Sequence, residues 1–348
     1  MKKIGIIGYG NMGSWHAENI TARIKDLTVS GIYDIDPARC AAAEQNGFKN
    51  YPTAEALLES GIDIVLIATP NDLHKSYSVM AMEAGVNVVC EKPACLNEKE
   101  LDEVLETSRR TGKFYTVHQN RRFDPDFRVV KEIIDQKLVG NTLSVESRLY
   151  NSRGCSTAWR STYSAGGGAL YDWGIHMIDQ ALNLIDSRPV SVYAYLKKQV
   201  YSEVDDGGKL IITFENKVRF EIAFDFWCYI SEPRWRVLGD DGTACVPEWF
   251  SAEGEIIKAN KNIELEKGCV YTPNGISTTM WPRPKQNIQQ LSAPKLEAEP
   301  CWEEFYENVI DVLEGRAEPL VTHEQITAAL KVMLAAFRSS ETNRVIII

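Results

Sequence analysis

Lys3-Ile4-Gly5-Ile6-Ile7-Gly8-Tyr9-Gly10-Asn11-Met12-Gly13 begins as a short apolar run and ends in the pattern Gly-x-Gly-x-x-Gly. The apolar run predicts a buried strand, and residues 12–24 predict the helix that follows it. In such a unit the first glycine makes the turn, the second lets the backbone approach a pyrophosphate, and the third lets helix and strand pack closely. The N–H groups at the start of the helix then face the phosphates. The stretch therefore predicts a dinucleotide site formed by Gly8, Gly10, Asn11, Met12 and Gly13.

Asp34 supports this interpretation. It ends a second predicted strand, residues 29–34, and lies 21 residues after Gly13. A carboxylate about 20 residues beyond the glycine pattern is the usual partner of the adenosine ribose hydroxyl groups. The same carboxylate would repel a 2′-phosphate, and Ile35 offers no basic side chain to bind one, so NAD is favoured over NADP. The competing interpretation is that Asp34 only starts the turn at Asp36-Pro37.

Strands and helices continue to alternate as far as residue 118. Predicted helices cover residues 54–60, 72–84 and 98–111, and predicted strands cover residues 62–68, 86–90 and 114–118. The strand at 62–68 is apolar enough to be buried on both faces, as in a parallel sheet with helices on each side. We therefore predict an α/β fold in which residues 1–120 form a dinucleotide-binding domain.

Two segments follow predicted strands at the edge where such sheets bind ligands. These segments are Thr69-Pro70-Asn71 with His74, and Glu91-Lys92-Pro93. Pro93 favours an extended conformation for Lys92, so we expect the lysine side chain to enter the crevice. The alternative for Lys92 is an ordinary solvated lysine. His74 is expected either to contact the cofactor or to cap the helix that it opens.

Residues 121–348 are predicted to form a second domain for substrate binding and oligomerisation. Its predicted helices are at 126–136, 302–314 and 323–341, and its predicted strands are at 143–150, 190–200, 209–214, 218–226 and 235–238. The period-two strands indicate a large antiparallel sheet. Four aromatic residues of this predicted sheet suggest a subunit interface: Phe220, Phe224, Phe226 and Trp227. Residues 247–300 contain many prolines and predict loops with short strands.

Gly166-Gly167-Gly168 leads into a predicted helix that runs to about residue 185. Asp172 and His176 are four residues apart on this helix, so their side chains share a face. Histidine is the side chain best suited to moving a proton near neutral pH. The competing interpretation is a capped helix in which His176 is an ordinary buried residue. Asp179 is predicted to be structural or to support the site from behind.

Charge and cysteine content narrow the classes of function. The 348 residues carry a net charge of −10, which argues against a broad surface for nucleic acid or anionic membranes. The eight cysteines form no Cys-x-x-Cys pair and no cluster with zinc-finger spacing, so we predict no metal site and a reduced compartment. The first apolar run is too short for a signal peptide, and no later segment is apolar enough to span a bilayer. We expect a cytoplasmic protein.

Together these motifs resemble the Gfo/Idh/MocA family, which includes glucose–fructose oxidoreductase and inositol dehydrogenase. The resemblance covers nearly the whole chain and rests on the glycine pattern at 8–13, Thr69-Pro70-Asn71 with His74, Glu91-Lys92-Pro93, and Gly166-Gly167-Gly168 followed by Asp172-x-Gly174-x-His176. It implies an N-terminal Rossmann domain and a C-terminal α/β domain with a large open, mainly antiparallel sheet. It also implies homodimers or homotetramers.

The resemblance further implies roles for individual residues. Lys92, Asp172 and His176 match the family's catalytic trio, while Glu91 and Thr69-Pro70-Asn71 match positions near the nicotinamide ribose and pyrophosphate. Asn120 and Trp159 fall in stretches that often line the substrate pocket in relatives. The implied reaction is hydride transfer between nicotinamide and a CH–OH group of a sugar, cyclitol or related polyol. Two alternatives stay open: NAD-dependent glycoside cleavage by transient oxidation and elimination, and a non-catalytic regulator that binds NAD or sugar.

Overall fold

Two β-sheets organise the chain in the computed structural model, which describes residues 1–154, 158–259, 269–277, 285–297, 299 and 301–348. The first sheet and its helices comprise β1 (Lys2–Ile7), α1 (Asn11–Arg23), β2 (Leu27–Tyr33), α2 (Pro37–Gln45), α3 (Ala54–Leu58), β3 (Ile64–Ile67), α4 (His74–Glu83), β4 (Asn87–Cys90), α5 (Glu98–Thr111) and β5 (Tyr115–Val117).

The first sheet is parallel and has the strand order β2-β1-β3-β4-β5. All four residues of β3 are buried, as expected for a strand covered on both faces by helices. Because β1 lies between β2 and β3, the chain adds β2 on one side of β1 and then β3 on the other side. This change of direction places a ligand crevice at the carboxyl end of β1. The predicted parallel half is confirmed. Helix α2 was not predicted, since Asp36-Pro37 indicated only a turn; Asp36 caps this helix by accepting from Ala38 N.

The second sheet contains nine described strands in the order β15-β12-β11-β10-β6-β9-β8-β7-β16. The elements of this half are α6 (Pro125–Asp135), β6 (Thr142–Tyr150), α7 (Ile175–Leu184), β7 (Pro189–Lys197), β8 (Gly207–Phe214), β9 (Arg219–Asp225), β10 (Trp235–Gly239), β11 (Gly242–Val246), β12 (Glu255–Ala259), β13 (Val270–Thr272), β14 (Gly275–Ser277), β15 (Ile288–Ser292), α8 (Glu303–Leu313), α9 (His323–Thr342) and β16 (Ile346–Ile347). Neighbouring strands in it are antiparallel apart from β6 and β9, so the predicted mainly antiparallel sheet is confirmed.

The two faces of the second sheet differ, and one interpretation of its aromatic residues was wrong. Helices α6, α7 and α9 pack on one face, and Phe220, Phe224 and Phe226 are buried in the core rather than presented to a partner. Phe220 and Phe224 alternate along β9, and Phe226 directly after the strand continues the pattern, so they face inward because the period of a strand is two. On the opposite face, Tyr193 pairs with Ile211 across the β7–β8 ladder, and both side chains are exposed.

The described parts of residues 247–300 contain the short strands β12 to β15, as predicted. Residues 260–268, 278–284, 298 and 300 of that stretch, and residues 155–157 of the loop before α7, lie outside the described residues. Within the described part of the chain, no helix is both long and apolar enough to cross a membrane. The division of the chain at residue 120 stays a prediction. Residues beyond it contact the first sheet, since Thr116 Oγ1 donates to the carbonyl of Val321.

Candidate active site

The glycine pattern joins β1 to α1 and opens onto a cavity at the carboxyl edge of the first sheet. A Cβ at Gly13 would lie 1.8 Å from the carbonyl oxygen of Gly8, so only glycine lets α1 approach β1 this closely. Gly10 is the N-cap of α1 and provides no side-chain cap, which leaves the first N–H groups of the helix free to bind phosphate. Gly10, Asn11 and Met12 line the cavity. This cradle fits a dinucleotide.

Asp34 lies at the end of β2 beside this cradle and is buried. Its carboxylate accepts hydrogen bonds from the backbone N–H of Tyr9 (2.6 Å) and of Asp36 (2.8 Å), so it holds both the glycine pattern and the turn into α2. The two interpretations of Asp34 are therefore compatible. Arg39, which the sequence analysis missed because α2 was not predicted, places its Nη1 atom 3.6 Å from Asp34 Oδ2 and lines the cavity.

The segment after β3 joins the two halves of the chain. Thr69, Pro70 and Asn71 line the cavity, and Asn71 Nδ2 donates to the carbonyl of Gly166 at 2.8 Å. His74 also lines the cavity but forms no capping hydrogen bond. Its Nδ1 lies 2.7 Å from the carbonyl of Pro93, and its Nε2 lies 3.2 Å from that of Thr69. Burial lowers the pKa of His74 although both carbonyls oppose this shift. A neutral ring has one N–H group, so it can donate to only one of these two carbonyls at a time.

The segment that carries Asp172 begins at a close backbone approach. Gly168 has φ +115°, and a Cβ there would lie 2.4 Å from Asp205 Oδ1. Asp205 accepts a hydrogen bond from Ala169 N through its carbonyl (2.9 Å) and one from Leu170 N through its Oδ2 atom (2.7 Å). Burial raises the pKa of Asp205 to about 6 against the effect of the Leu170 hydrogen bond. Residues Leu170–Gly174 form a π-helical turn before α7, where a regular helix was predicted.

Lys92 and Asp172, 80 residues apart in sequence, meet across the two halves. Lys92 Nζ lies 2.9 Å from Asp172 Oδ1 and donates to the Asp172 carbonyl at 2.7 Å. Arg160 Nε lies 3.6 Å from the same Oδ1 atom. Burial opposes ionisation of Asp172, but the two cations outweigh it and lower its pKa. The Lys92–Pro93 peptide bond is cis. The two contacts with Asp172 hold the Nζ atom of Lys92 at the cavity wall.

His176 lies one turn beyond Asp172 and lines the same cavity, although only 5% of its surface is exposed. Its Nδ1 atom has no hydrogen-bond partner among the described residues. Burial lowers its pKa well below the ordinary value of 6.5, and the positive charges of Lys92 and Arg121 lower it further. A neutral imidazole that lines a cavity can accept a proton from a bound hydroxyl group. This state disfavours the interpretation of His176 as a hydrogen-bonded core residue.

Glu91 belongs to a buried cluster that sequence reasoning missed. Its Oε1 atom lies 2.9 Å from His16 Nε2 and 2.9 Å from His118 Nδ1, while His16 Nδ1 lies 2.8 Å from the hydroxyl of Tyr306. Burial lowers the pKa of His16 to about 4 against the effect of Glu91. Burial opposes ionisation of Glu91, yet hydrogen bonds from His118 and His16 hold its pKa well below the ordinary range. A neutral His16 that accepts from Tyr306 and donates to Glu91 satisfies the chain.

The same cluster is the group, among the described residues, whose ligand atoms are close enough to hold a metal ion. The three atoms of His16, Glu91 and His118 lie within 4.8 Å of one another. Each of these atoms already takes part in a hydrogen bond inside the cluster. The absence of a metal stays a prediction. Two features of the sequence could have indicated this cluster. His16 lies three residues after Gly13 and so on the same face of α1, and His118 directly follows β5.

The other predicted residues lie where the sequence indicated. Asn120 and Trp159 line the cavity near Arg121 and Arg160. Asp179 accepts two hydrogen bonds from Arg122, from Nη2 at 2.6 Å and Nε at 2.8 Å, which is the structural role predicted for it.

We refer to the cavity wall at Gly10, Asn11 and Met12 as the glycine end. We refer to the opposite group as the charged end, and it comprises Lys92, Arg121, Arg160, Asp172 and His176.

Comparisons with known proteins identify the family of the chain. A family model described as "Oxidoreductase family, NAD-binding Rossmann fold" matches residues 2–119, and the "GFO/IDH/MocA C-terminal domain" matches residues 127–245. An NAD-binding protein from Listeria innocua is 38% identical, with a TM-score of 0.93 over 100% of this chain and 99% of its own. The scyllo-inositol 2-dehydrogenase (NADP(+)) IolW of Bacillus subtilis is 24% identical over 99% of this chain and 96% of its own. The inositol 2-dehydrogenase of Corynebacterium glutamicum is 29% identical over 64% of this chain and 66% of its own.

Proposed function

Since the chain belongs to the GFO/IDH/MocA family of oxidoreductases, we propose that it transfers a hydride between NAD and a secondary alcohol or ketone of a sugar, cyclitol or related polyol. The observation that carries the proposal is the position of His176, whose imidazole lines a cavity together with Lys92 and the glycine end. Two relatives named as inositol dehydrogenases support this class of substrate.

The cofactor would be held by residues that the sequence already indicated. The N–H groups of α1 at Gly10, Asn11 and Met12 would bind the pyrophosphate, and Asp34 would accept from the adenosine ribose. Thr69, Pro70, Asn71 and His74 would line its path towards Glu91, near the nicotinamide ribose. When bound, the nicotinamide supplies the acceptor or donor of the hydride.

NAD rather than NADP is our proposal because the buried Asp34 carboxylate would repel a 2′-phosphate. Arg39 acts in the opposite sense, since a guanidinium near the ribose can accommodate that phosphate. Arg39 Nη1 already faces Asp34 Oδ2, which reduces its net effect. We expect kcat/KM to be higher with NAD than with NADP, and the reverse order would contradict the assignment.

The side chains at the charged end divide the work of proton transfer. His176 would take the hydroxyl proton on its imidazole as a general base. Lys92 would donate a hydrogen bond to the same substrate oxygen and stabilise the negative charge that develops on it. Asp172 holds Lys92 in place through the 2.9 Å ion pair. Asn120 and Trp159 would contact the substrate. In the opposite direction the same groups return the proton to a ketone.

The variant His176→Gln tests the proposal directly. We expect kcat for alcohol oxidation to fall by about 10² to 10⁴ fold, because the general base is lost. NAD binding, measured by calorimetry, should be unchanged since His176 is outside the glycine end. His323→Gln is the matched control, because His323 bonds the Tyr115 carbonyl away from the cavity. Full activity of His176→Gln on a genuine substrate would refute the role assigned to His176.

The same assay separates the alternatives. Net NADH formation with free sugars or cyclitols supports the dehydrogenase. Release of a leaving group from glycosides without net NADH would support glycoside cleavage by transient oxidation. Tight NAD binding with no turnover across sugars, inositols and sugar acids would support a non-catalytic regulator.

We also propose a cytoplasmic homodimer or homotetramer that associates through the exposed face of the second sheet. The exposed pair Tyr193 and Ile211 supports this surface, together with the adjacent Tyr195, which is 63% exposed. Light scattering of the purified protein should give a mass of two or four chains. Tyr195→Glu should lower that mass, and a monomeric wild type would contradict the proposal.

A further inference from the structure

Arg121 is held at the charged end by aromatic side chains. Its guanidinium carbon lies 5.0 Å from the ring centroid of Trp173, 5.0 Å from that of Trp249 and 5.6 Å from that of Phe250. The rings of Trp249 and Phe250 stack on each other at 4.2 Å. Cation–π contacts fix a guanidinium through its faces and leave the N–H groups on its edge for a ligand.

Part of that edge is available to a ligand. Arg121 Nη1 lies 3.3 Å from Asp124 Oδ1 and the Nε atom is buried, but 23% of the side chain is exposed and it lines the cavity. Asp124 lies behind the guanidinium, buried, and its Oδ2 atom accepts from the indole N–H of Trp249 at 2.9 Å. A ligand in the cavity therefore meets the arginine before it meets the carboxylate.

Arg160 supplies a second guanidinium whose charge is poorly balanced. Lys92 makes the close contact with Asp172 at 2.9 Å, whereas Arg160 Nε remains 3.6 Å away from the same oxygen. One carboxylate cannot neutralise both cations. The guanidinium of Arg160 lies over the ring of Trp159 at 4.5 Å, and its side chain is 26% exposed, so a ligand can reach it.

These observations favour an anion at the charged end. Lys92, Arg121 and Arg160 line the cavity there, and two carboxylates line it beside them: Asp172, which pairs with Lys92, and Glu91, which is held by His16 and His118. This local excess of positive charge occurs in a chain whose net charge is −10. A neutral polyol would add no charged partner for Arg121 beyond Asp124, or for Arg160 beyond the Asp172 carboxylate that it shares with Lys92. Arginine forks match the geometry of carboxylate and phosphate groups.

We propose that the substrate carries an anionic group, a carboxylate or a phosphate, which Arg121 and Arg160 bind. Lys92 and His176 would contact the hydroxyl group of the substrate that is oxidised. The inference rests on the proposed oxidoreductase function and narrows its substrates to sugar acids or sugar phosphates. Arg121 and Arg160 become specificity-determining residues.

Calorimetry on the NAD-loaded protein tests this inference. The ligands are glucose, galactose and mannose, each as the free sugar, the uronate and the 6-phosphate, so that each set differs only at C6. We expect at least one anionic ligand to bind about tenfold or more tightly than its neutral counterpart, as charge-assisted hydrogen bonds require. Tighter binding of the uronate would identify the anionic group as a carboxylate, and tighter binding of the 6-phosphate would identify it as a phosphate. Equal binding of neutral and anionic ligands, or no binding in any set, would overturn the inference.

Two variants identify the residues responsible. Arg121→Gln and Arg160→Gln should each reduce the anionic preference about tenfold while NAD binding is retained. Arg109→Gln is the matched control, because Arg109 is an exposed arginine on α5 outside the cavity. An anionic preference that survives the double variant would overturn the assignment. The wild-type preference requires no variant and tests the inference by itself.

Turnover in the same samples separates this inference from the proposed function. NADH formation with the neutral sugars and no anionic preference would support the oxidoreductase and overturn the anion site. Binding of the anionic ligands that depends on both arginines, without NADH formation in any set, would support the anion site and count against hydride transfer to these sugars.

Discussion

The glycine end and the charged end of the cavity are built in different ways. The glycine end consists mainly of main-chain atoms from one continuous stretch, in which β1 turns into α1. The charged end consists of side chains from both halves of the chain, and its central ion pair joins Lys92 to Asp172. Main-chain sites depend on how closely the backbone can approach, whereas side-chain sites depend on which charges face each other. The two ends should therefore respond differently to substitution.

The largest effect is expected at the charged end. Lys92→Met keeps most of the side-chain volume but removes the cation that would stabilise a developing negative charge. We expect kcat to fall by about 10² to 10³ fold with the dissociation constant of NAD unchanged. Steady-state rates and calorimetry measure the two quantities. Loss of NAD affinity in parallel with kcat would show that the two ends are not separable.

At the glycine end, Gly13→Ala should impair the fold and the cofactor site together. Its Cβ would meet the Gly8 carbonyl oxygen at 1.8 Å, so α1 must move away from β1. We expect the free energy of unfolding to fall by about 1–3 kcal/mol and NAD binding to weaken more than tenfold.

The matched variant for that experiment is Gly10→Ala. Its Cβ would lie 3.0 Å from Arg39 Nη1, the end of a flexible side chain that can move. Denaturant titration should show a smaller loss of stability than for Gly13→Ala. Equal losses for the two variants would contradict the steric explanation.

Asp205→Ala should have a smaller effect, because it removes support for the charged end without touching it. The carboxylate that accepts from Leu170 N at 2.7 Å is lost, and the buried N–H is left unsatisfied. We expect the free energy of unfolding to fall by about 1–2 kcal/mol. Asp205→Asn keeps an acceptor oxygen and should remain closer to wild type in thermal unfolding. Identical losses would mean that the acceptor is unimportant.

The smallest expected effect is in the pH profile. A histidine base is inactive when protonated, and its activity is lost as pH falls through its pKa. Burial, Lys92 and Arg121 lower the pKa of His176 well below 6.5, so this loss moves to lower pH. We expect kcat/KM for oxidation to change by less than about threefold between about pH 8 and pH 6. A decline with an apparent pKa near 6.5 would contradict this. The residual activity of Lys92→Met should decline at higher pH than that of wild type.

The contrast between the ends explains what the sequence could predict. Residues 8–13 and Asp34 were predictable because strand, turn and helix are adjacent in the chain. Lys92 and Asp172 were found through short motifs, although their 2.9 Å contact spans 80 residues. The cage around Arg121 was not predictable, because Trp249 comes from a stretch after β11 that showed no clear pattern. The aromatic residues of β9 were misassigned to an interface, since alternation alone does not say which face is buried.

The hydrogen bond between Tyr306 and His16 has a consequence for synthesis of the protein. These residues are 290 positions apart, and Phe305 packs its ring against that of His118 at 4.8 Å. On the ribosome the parallel sheet can assemble early, as N-terminal domains do. The Glu91 cluster stays open to water until residue 306 has emerged. The surroundings of Glu91 are therefore completed later than the rest of the parallel sheet. A chain arrested before α8 would have Glu91 exposed to water.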